Sequence, residues 1–161
     1  MSRVARSARV ASRQRPEIIT TDKTIQAAET GELYLINHNA GSTITLTLPP
    51  VQDGAYFRFQ FMTAMNAVDA KVNIVTANGA GTIKGTVLNF IYQASSVDAD
   101  VATNKDNTSL LLCYSGSLTG QPANTIHVGT YLDLHCDGTN WQASGKTIAS
   151  HLSASVFHIG A

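Results

Sequence analysis

Five histidines, two cysteines and eleven carboxylates are the groups through which this chain of 161 residues could do chemistry. His38, His127, His135, His151 and His158 show no HxH, HxxH or HExxH spacing, so no pair is placed to share a metal from one strand or one helix face. His135-Cys136-Asp137 sets three ligand types side by side, but adjacent strand residues point to opposite faces. That run reads as a strand ending in an Asp-Gly turn. Cys113 and Cys136 belong to no CxxC pattern and sit in apolar, strand-like surroundings, which predicts buried free thiols and leaves open whether they pair. Asp98 and Asp100 share a face of a polar segment, with nothing apolar beside them to raise a carboxyl pKa. No GxSxG elbow, P-loop or strand-linked GxGxxG occurs, and Asn78-Gly79-Ala80-Gly81-Thr82 reads as a turn with no helix behind it to hold a phosphate. Asn107-Thr108-Ser109 is a glycosylation sequon, of consequence only in a secreted chain. The expectation is a protein without catalysis, cofactor or metal.

Charge is the more informative chemistry. The formal net charge is zero, yet Arg3, Arg6, Arg9, Arg13 and Arg15 fall within the first fifteen residues, where there is no acid. Six basic residues then face all eleven acids, so a leader near +5 precedes a body near −5. Such asymmetry predicts an electrostatic tether onto another macromolecule. Nucleic acid is disfavoured as the target, because the leader has no aromatic to stack on bases and the body is acidic. Docking along a protein surface fits better, with guanidinium groups on carboxylates and Ala/Val in small grooves. The leader lacks the Leu/Phe face of a mitochondrial presequence and the apolar core of a secretory signal. Only 14% of residues are charged, a composition suited to a surface packed against neighbours, and no apolar run reaches the roughly 18 residues of a membrane span.

The elements that must position these groups are short strands. Residues 1–16 read as an extended basic arm ending at Pro16, and residues 17–161 as a single β domain. Candidate strands are Glu17–Thr21, Glu32–Asn37, Thr43–Leu48, Tyr56–Met62, Lys71–Thr76, Val87–Tyr92, Ser109–Tyr114, Tyr131–Cys136 and a piece near Ser155–Ile159. Ile44, Leu46 and Leu48 alternate with threonines, and Phe57, Phe59 and Phe61 alternate with Tyr56, Arg58 and Gln60. Period-two patterning of this kind puts one face of each strand on a core, which these six residues and Trp141 should form. Asn39-Ala40-Gly41, Pro49-Pro50, Asp53-Gly54, Asn78-Gly79 and Asp137-Gly138 supply turns at the intervals of an antiparallel, jelly-roll-like sandwich or barrel. Ala94–Asn107 reads as a long loop or one helical turn, Ser115–Asn124 as another loop, and Ala64–Ala70 is too short for a helix of consequence.

The runs GELYLIN (31–37), ITLTLPP (44–50), GAYFRF (54–59), VNIVTA (72–77) and LHCDGTNW (134–141) together resemble small β-rich virion proteins of tailed bacteriophages, the head decoration or cement proteins and related modules. The resemblance spans roughly residues 30–142, and the same cadence occurs in tail and fibre proteins. It implies a non-catalytic structural protein on the capsid exterior, assembled in the host cytoplasm. Its partners would be the major capsid protein and two further copies of itself in a homotrimer, stapling capsomers and stabilising the shell, with no membrane involved. Arg3, Arg6, Arg9, Arg13 and Arg15 would form the partner-binding arm. The alternatives are a tail or fibre connector, and a carbohydrate-binding module stacking sugar on Tyr34, Tyr131 or Trp141.

Overall fold

The computed structural model describes residues 16–67, 70–77, 81–93, 96–107, 109–113, 125–150 and 157–158, with backbone only over 91–113 and 157–158. The arm residues 1–15 and the segment 114–124 lie outside them. Among the described residues the chain is β-rich, with a 3-10 turn at Ala27–Glu29.

Six strands build the first half: β1 (Glu17–Ile19), β2 (Lys23–Thr24), β3 (Leu33–Ile36), β4 (Thr43–Thr47), β5 (Tyr56–Phe61) and β6 (Lys71–Val75). The second half adds β7 (Ile83–Gln93), β8 (Ser96–Asn107), β9 (Ser109–Cys113), β10 (Tyr131–Cys136), β11 (Trp141–Ala149) and β12 (Phe157–His158). They form a seven-stranded sheet in the order β1-β3-β5-β10-β11-β7-β8 and a five-stranded sheet in the order β12-β9-β6-β4-β2.

Both sheets are mixed, which corrects the antiparallel expectation. From β1 to β6 the chain alternates between the sheets, and each return lies parallel to the strand laid down before it: β1 on β3 on β5, and β2 on β4 on β6. Parallel neighbours cannot be joined by a tight hairpin and need a crossover. Here the opposite sheet is the crossover, so this half winds as a coil. Antiparallel pairing enters later, in β5–β10, β10–β11, β7–β8, β6–β9 and β9–β12. The turn residues therefore steer the chain from sheet to sheet more often than they close hairpins.

Side-chain bonds between corners hold successive turns of the coil together. Asp22 Oδ1, in the β1–β2 corner, accepts the Thr45 N–H at 2.7 Å. Asn39, in the β3–β4 corner, accepts the N–H groups of Asn66 and Ala67 at 2.7 and 2.8 Å and donates Nδ2 to Asn66 Oδ1 at 2.8 Å. These bonds satisfy backbone donors that no strand pairs, as a corner requires.

Ile44, Leu46, Leu48, Phe57, Phe59, Phe61 and Trp141 are each at most 4% exposed and belong to one cluster fed by both sheets. Tyr34 stacks on Phe59 at 5.3 Å between ring centroids and tilts against Phe57 at 6.2 Å, and Phe57 meets Trp141 at 5.7 Å. Offset and tilted rings at these separations add attraction beyond burial alone.

Three strands differ from the sequence reading. β8 occupies most of the segment expected to be a loop, β11 follows a turn where no strand was expected, and β2 is a two-residue strand inside a corner. β11 lies between β10 and β7, so both its edges are paired and neighbours, more than propensity, hold it extended.

Candidate binding surface

Two surfaces carry the polar chemistry, and both arise from strand register. The first is the outer face of the larger sheet. Register places Ile18, Leu35, Gln60, Tyr131, Lys146 and Leu88 in one row across six strands, with Leu33, Arg58, Asp133 and Ser144 in the adjacent row. Ile18 and Leu88 are 55% and 37% exposed at either end of the first row.

Asp133 organises the centre. Arg58 donates Nε to Oδ1 at 2.6 Å and its terminal nitrogen to Oδ2 at 2.5 Å, a bidentate fork, and the Tyr56 hydroxyl donates to Oδ1 at 2.8 Å. Burial alone would raise the Asp133 carboxyl, but these donors hold it below the usual carboxylate value. The same fork raises the Arg58 guanidinium further. Burial and the neighbouring Asp133 raise the Tyr56 hydroxyl. The Tyr131 ring lies between Arg58, 5.1 Å from its centroid, and Lys146, at 5.8 Å. Tyrosine and arginine are the kinds of side chain that anchor protein interfaces. This constellation went unread in the sequence. The outward alternation of Tyr56 with Arg58 and of Tyr131 with Asp133 is visible there, but the pairing across a separation of 75 residues is not.

The second surface is the open end of the coil, where β1 is the edge of the larger sheet and β2 the edge of the smaller. Lys23 bridges Glu17 and Glu29 at 2.9 Å each and lies 5.4 Å from the centre of the Tyr34 ring. Burial works against the charge of Glu29, yet the Gln26 amide and the Lys23 ammonium keep its carboxyl low. Burial, with Glu29, Glu17 and Glu32 close by, pushes the Tyr34 hydroxyl well above the usual phenol value. Glu17, Glu29 and Glu32 thus gather around Tyr34, with Lys23 bridging the first two, and Asp22 is exposed in the adjoining corner.

The remaining sequence candidates separate cleanly. The five arm arginines lie outside the described residues, as do the side chains of Asp98, Asp100 and Cys113 and all of His151. His135 is exposed, whereas Cys136 beside it is a buried free thiol whose sulfur accepts the Gln52 N–H at 3.2 Å. His38 is buried, with Nε2 2.9 Å from the Ser42 carbonyl oxygen. Among the described residues no group of three or more His, Cys, Asp or Glu side chains could hold a metal, and no helix is long and apolar enough to cross a membrane. Tyr34 and Trp141 are fully buried, so neither can offer a ring to a sugar, which corrects that part of the carbohydrate alternative; Tyr131 is half-buried.

The turn between β10 and β11 is a local device. Asp137 Oδ1 accepts the N–H groups of Thr139 and Asn140 at 2.9 and 2.7 Å, Oδ2 accepts Gln142 Nε2 at 2.7 Å, and Gly138 takes φ 87°. Donation from the Asn140 amide, Gln142 and the Thr139 amide lowers the carboxyl from 3.8 to about 2. A carboxyl depressed in the folded state stabilises fully above its unfolded value and loses that contribution as pH falls through its folded value. Thermal unfolding of the wild type should therefore weaken from about pH 4 toward pH 2 more steeply than that of Asp137→Asn. The two curves converge at the acid end; parallel curves would contradict the assignment.

Comparison with protein-family models, curated proteins and solved structures returns no match.

Proposed function

We propose that the chain is a non-catalytic virion structural protein of a tailed bacteriophage, a head decoration protein whose basic leader grips a neighbouring protein surface. One observation carries the reading: the five arginines of residues 1–15 immediately precede β1, an edge strand of the larger sheet, so the described body begins at an edge. A charged segment tethered there can follow an acidic shell while the body stays intact, and several weak contacts on one tether add up through effective concentration. The fully paired interior strands and dense aromatic core suit a rigid staple. The Tyr131, Arg58 and Tyr56 face gives such a staple a second contact area.

The test is occupancy. Full-length protein and a variant lacking residues 1–16 are mixed with purified undecorated heads, and bound copies are counted. The reading expects binding that weakens with added salt and falls at least about tenfold on deletion, as the loss of several charge-assisted contacts would produce. Equal occupancy by the truncated protein removes the leader from the account. Binding to isolated tails but not to heads would reassign the protein to a tail connector.

A further inference from the structure

The open end of the coil is an unfinished structure. Each later turn covers the one before it, but among the described residues β1 and β2 have a neighbour on one side only. The Ile19 carbonyl accepts the Asn37 N–H and so faces β3; alternation along the strand turns the N–H and C=O of Ile18 to the open side. In β2 the Ile25 N–H reaches the Thr47 carbonyl, which turns the backbone of Thr24 outward in the same way. The Ile18 side chain, 55% exposed, stands at this edge. An edge of this kind accepts an added strand.

We propose that this edge receives the arginine-rich leader of a second copy, which adds as a strand beside β1 and links the subunits leader to edge. Charge complementarity selects the occupant. Among the described residues this end carries Glu17 and Asp22 at the edge, with Glu29 and Glu32 beside Glu17 around Tyr34, against Lys23, and the leader carries five arginines and no acid, with Val4, Val10 and several alanines to lie against Ile18.

The chain's own leader is poorly built for the place. Folding back as an antiparallel hairpin would require a tight turn through Arg13-Gln14-Arg15-Pro16, which contains no Gly, Asn or Asp for the left-handed positions. A second copy escapes this restriction, because its leader approaches untethered. A head-to-tail contact of this type closes into a ring or runs on as a chain. This rests on the leader acting as a grip but needs no capsid, so its failure in solution and failure to occupy heads are separate results.

Sedimentation of the purified full-length chain over a concentration series, at low and raised salt, is the experiment. Salt-sensitive self-association is expected, weakened at least about tenfold by removing residues 1–15. Ile18→Pro takes away the one outward N–H of β1 and leaves its bonds to β3, so it should weaken association to a similar degree while the thermal midpoint stays near that of the wild type. Reversing the edge (Glu17→Arg with Glu32→Arg) or the leader (Arg6→Glu, Arg9→Glu and Arg13→Glu) should abolish association singly, and a mixture of the two variants should restore it. A photo-crosslinker at position 18 should give a covalent dimer. A wild type that stays monomeric, association indifferent to the leader, or a crosslink formed within one chain would each overturn the proposal.

Discussion

Replacing Trp141 with alanine is expected to lower the unfolding free energy by about 3–5 kcal/mol, read from urea midpoints at unchanged slope. Trp141 is fully buried where the chain begins β11. Its backbone is fixed on both sides: it pairs with Cys136 of β10 and Ile83 of β7, and its N–H donates to the Thr82 carbonyl at 2.9 Å. The ring packs on Phe57, the end of the aromatic series that runs through Tyr34 to Phe59. With its frame held by two strands, the site has little freedom to collapse around a missing indole, so the cavity term adds to the lost transfer energy. Trp141→Phe separates packing from polarity. The indole N–H has no acceptor among the described residues, so phenylalanine removes an unsatisfied donor while keeping most of the apolar surface. Its cost should be at most about 2 kcal/mol. Equal losses in the two variants would mean that the N–H carries a bond, and an alanine cost under about 1 kcal/mol would mean that the site relaxes.

What the sequence makes legible follows from what period-two alternation can report. It identifies which side chains of Thr43–Thr47 and Tyr56–Phe61 face the core, and the burial patterns eBiBi and iBeBiB match that alternation residue by residue. It carries no information on strand direction, because parallel and antiparallel neighbours both need one face apolar. β4 and β5 therefore read correctly as strands while their parallel partners do not. β8 was unreadable for a different reason. Its run of Ser, Asp, Asn and Thr has loop composition, and the strand owes its form to pairing along most of β7. β11 contains Ser144-Gly145-Lys146, a poor strand in isolation, held by its position between two partners. The Asp133 site was hidden by distance along the chain, and the acidic coil end by topology: Glu17, Asp22, Glu29 and Glu32 look like scattered surface acids until β1 and β2 are seen to be the edge strands of their two sheets at the start of the coil.

Gly85 shows how far the parallel winding depends on one small residue, and Gly85→Ala should cost several kcal/mol, about 3 or more, although it adds a single methyl group. Gly85 pairs with Ala143 in the parallel β7–β11 ladder and adopts φ 138°, a conformation that L side chains rarely take. A Cβ built there would overlap the Ala143 carbonyl oxygen and crowd that residue's nitrogen and carbonyl carbon, all of them backbone atoms that cannot swing aside. The register with β8 also shifts between Ile83 and Gly85, so the glycine lies where β7 is bent to serve an antiparallel neighbour on one side and a parallel one on the other. Relief of the clash would have to come from moving β7 away from β11, which would open the sheet beside Trp141. Gly31→Ala is the control. That glycine also has positive φ, at 90°, but an added Cβ would meet nothing within 4 Å, so only the conformational penalty of about 1 kcal/mol should appear. If thermal unfolding ranks the two variants equally, backbone strain alone sets the cost, and the close approach of β7 to β11 is not what makes glycine necessary.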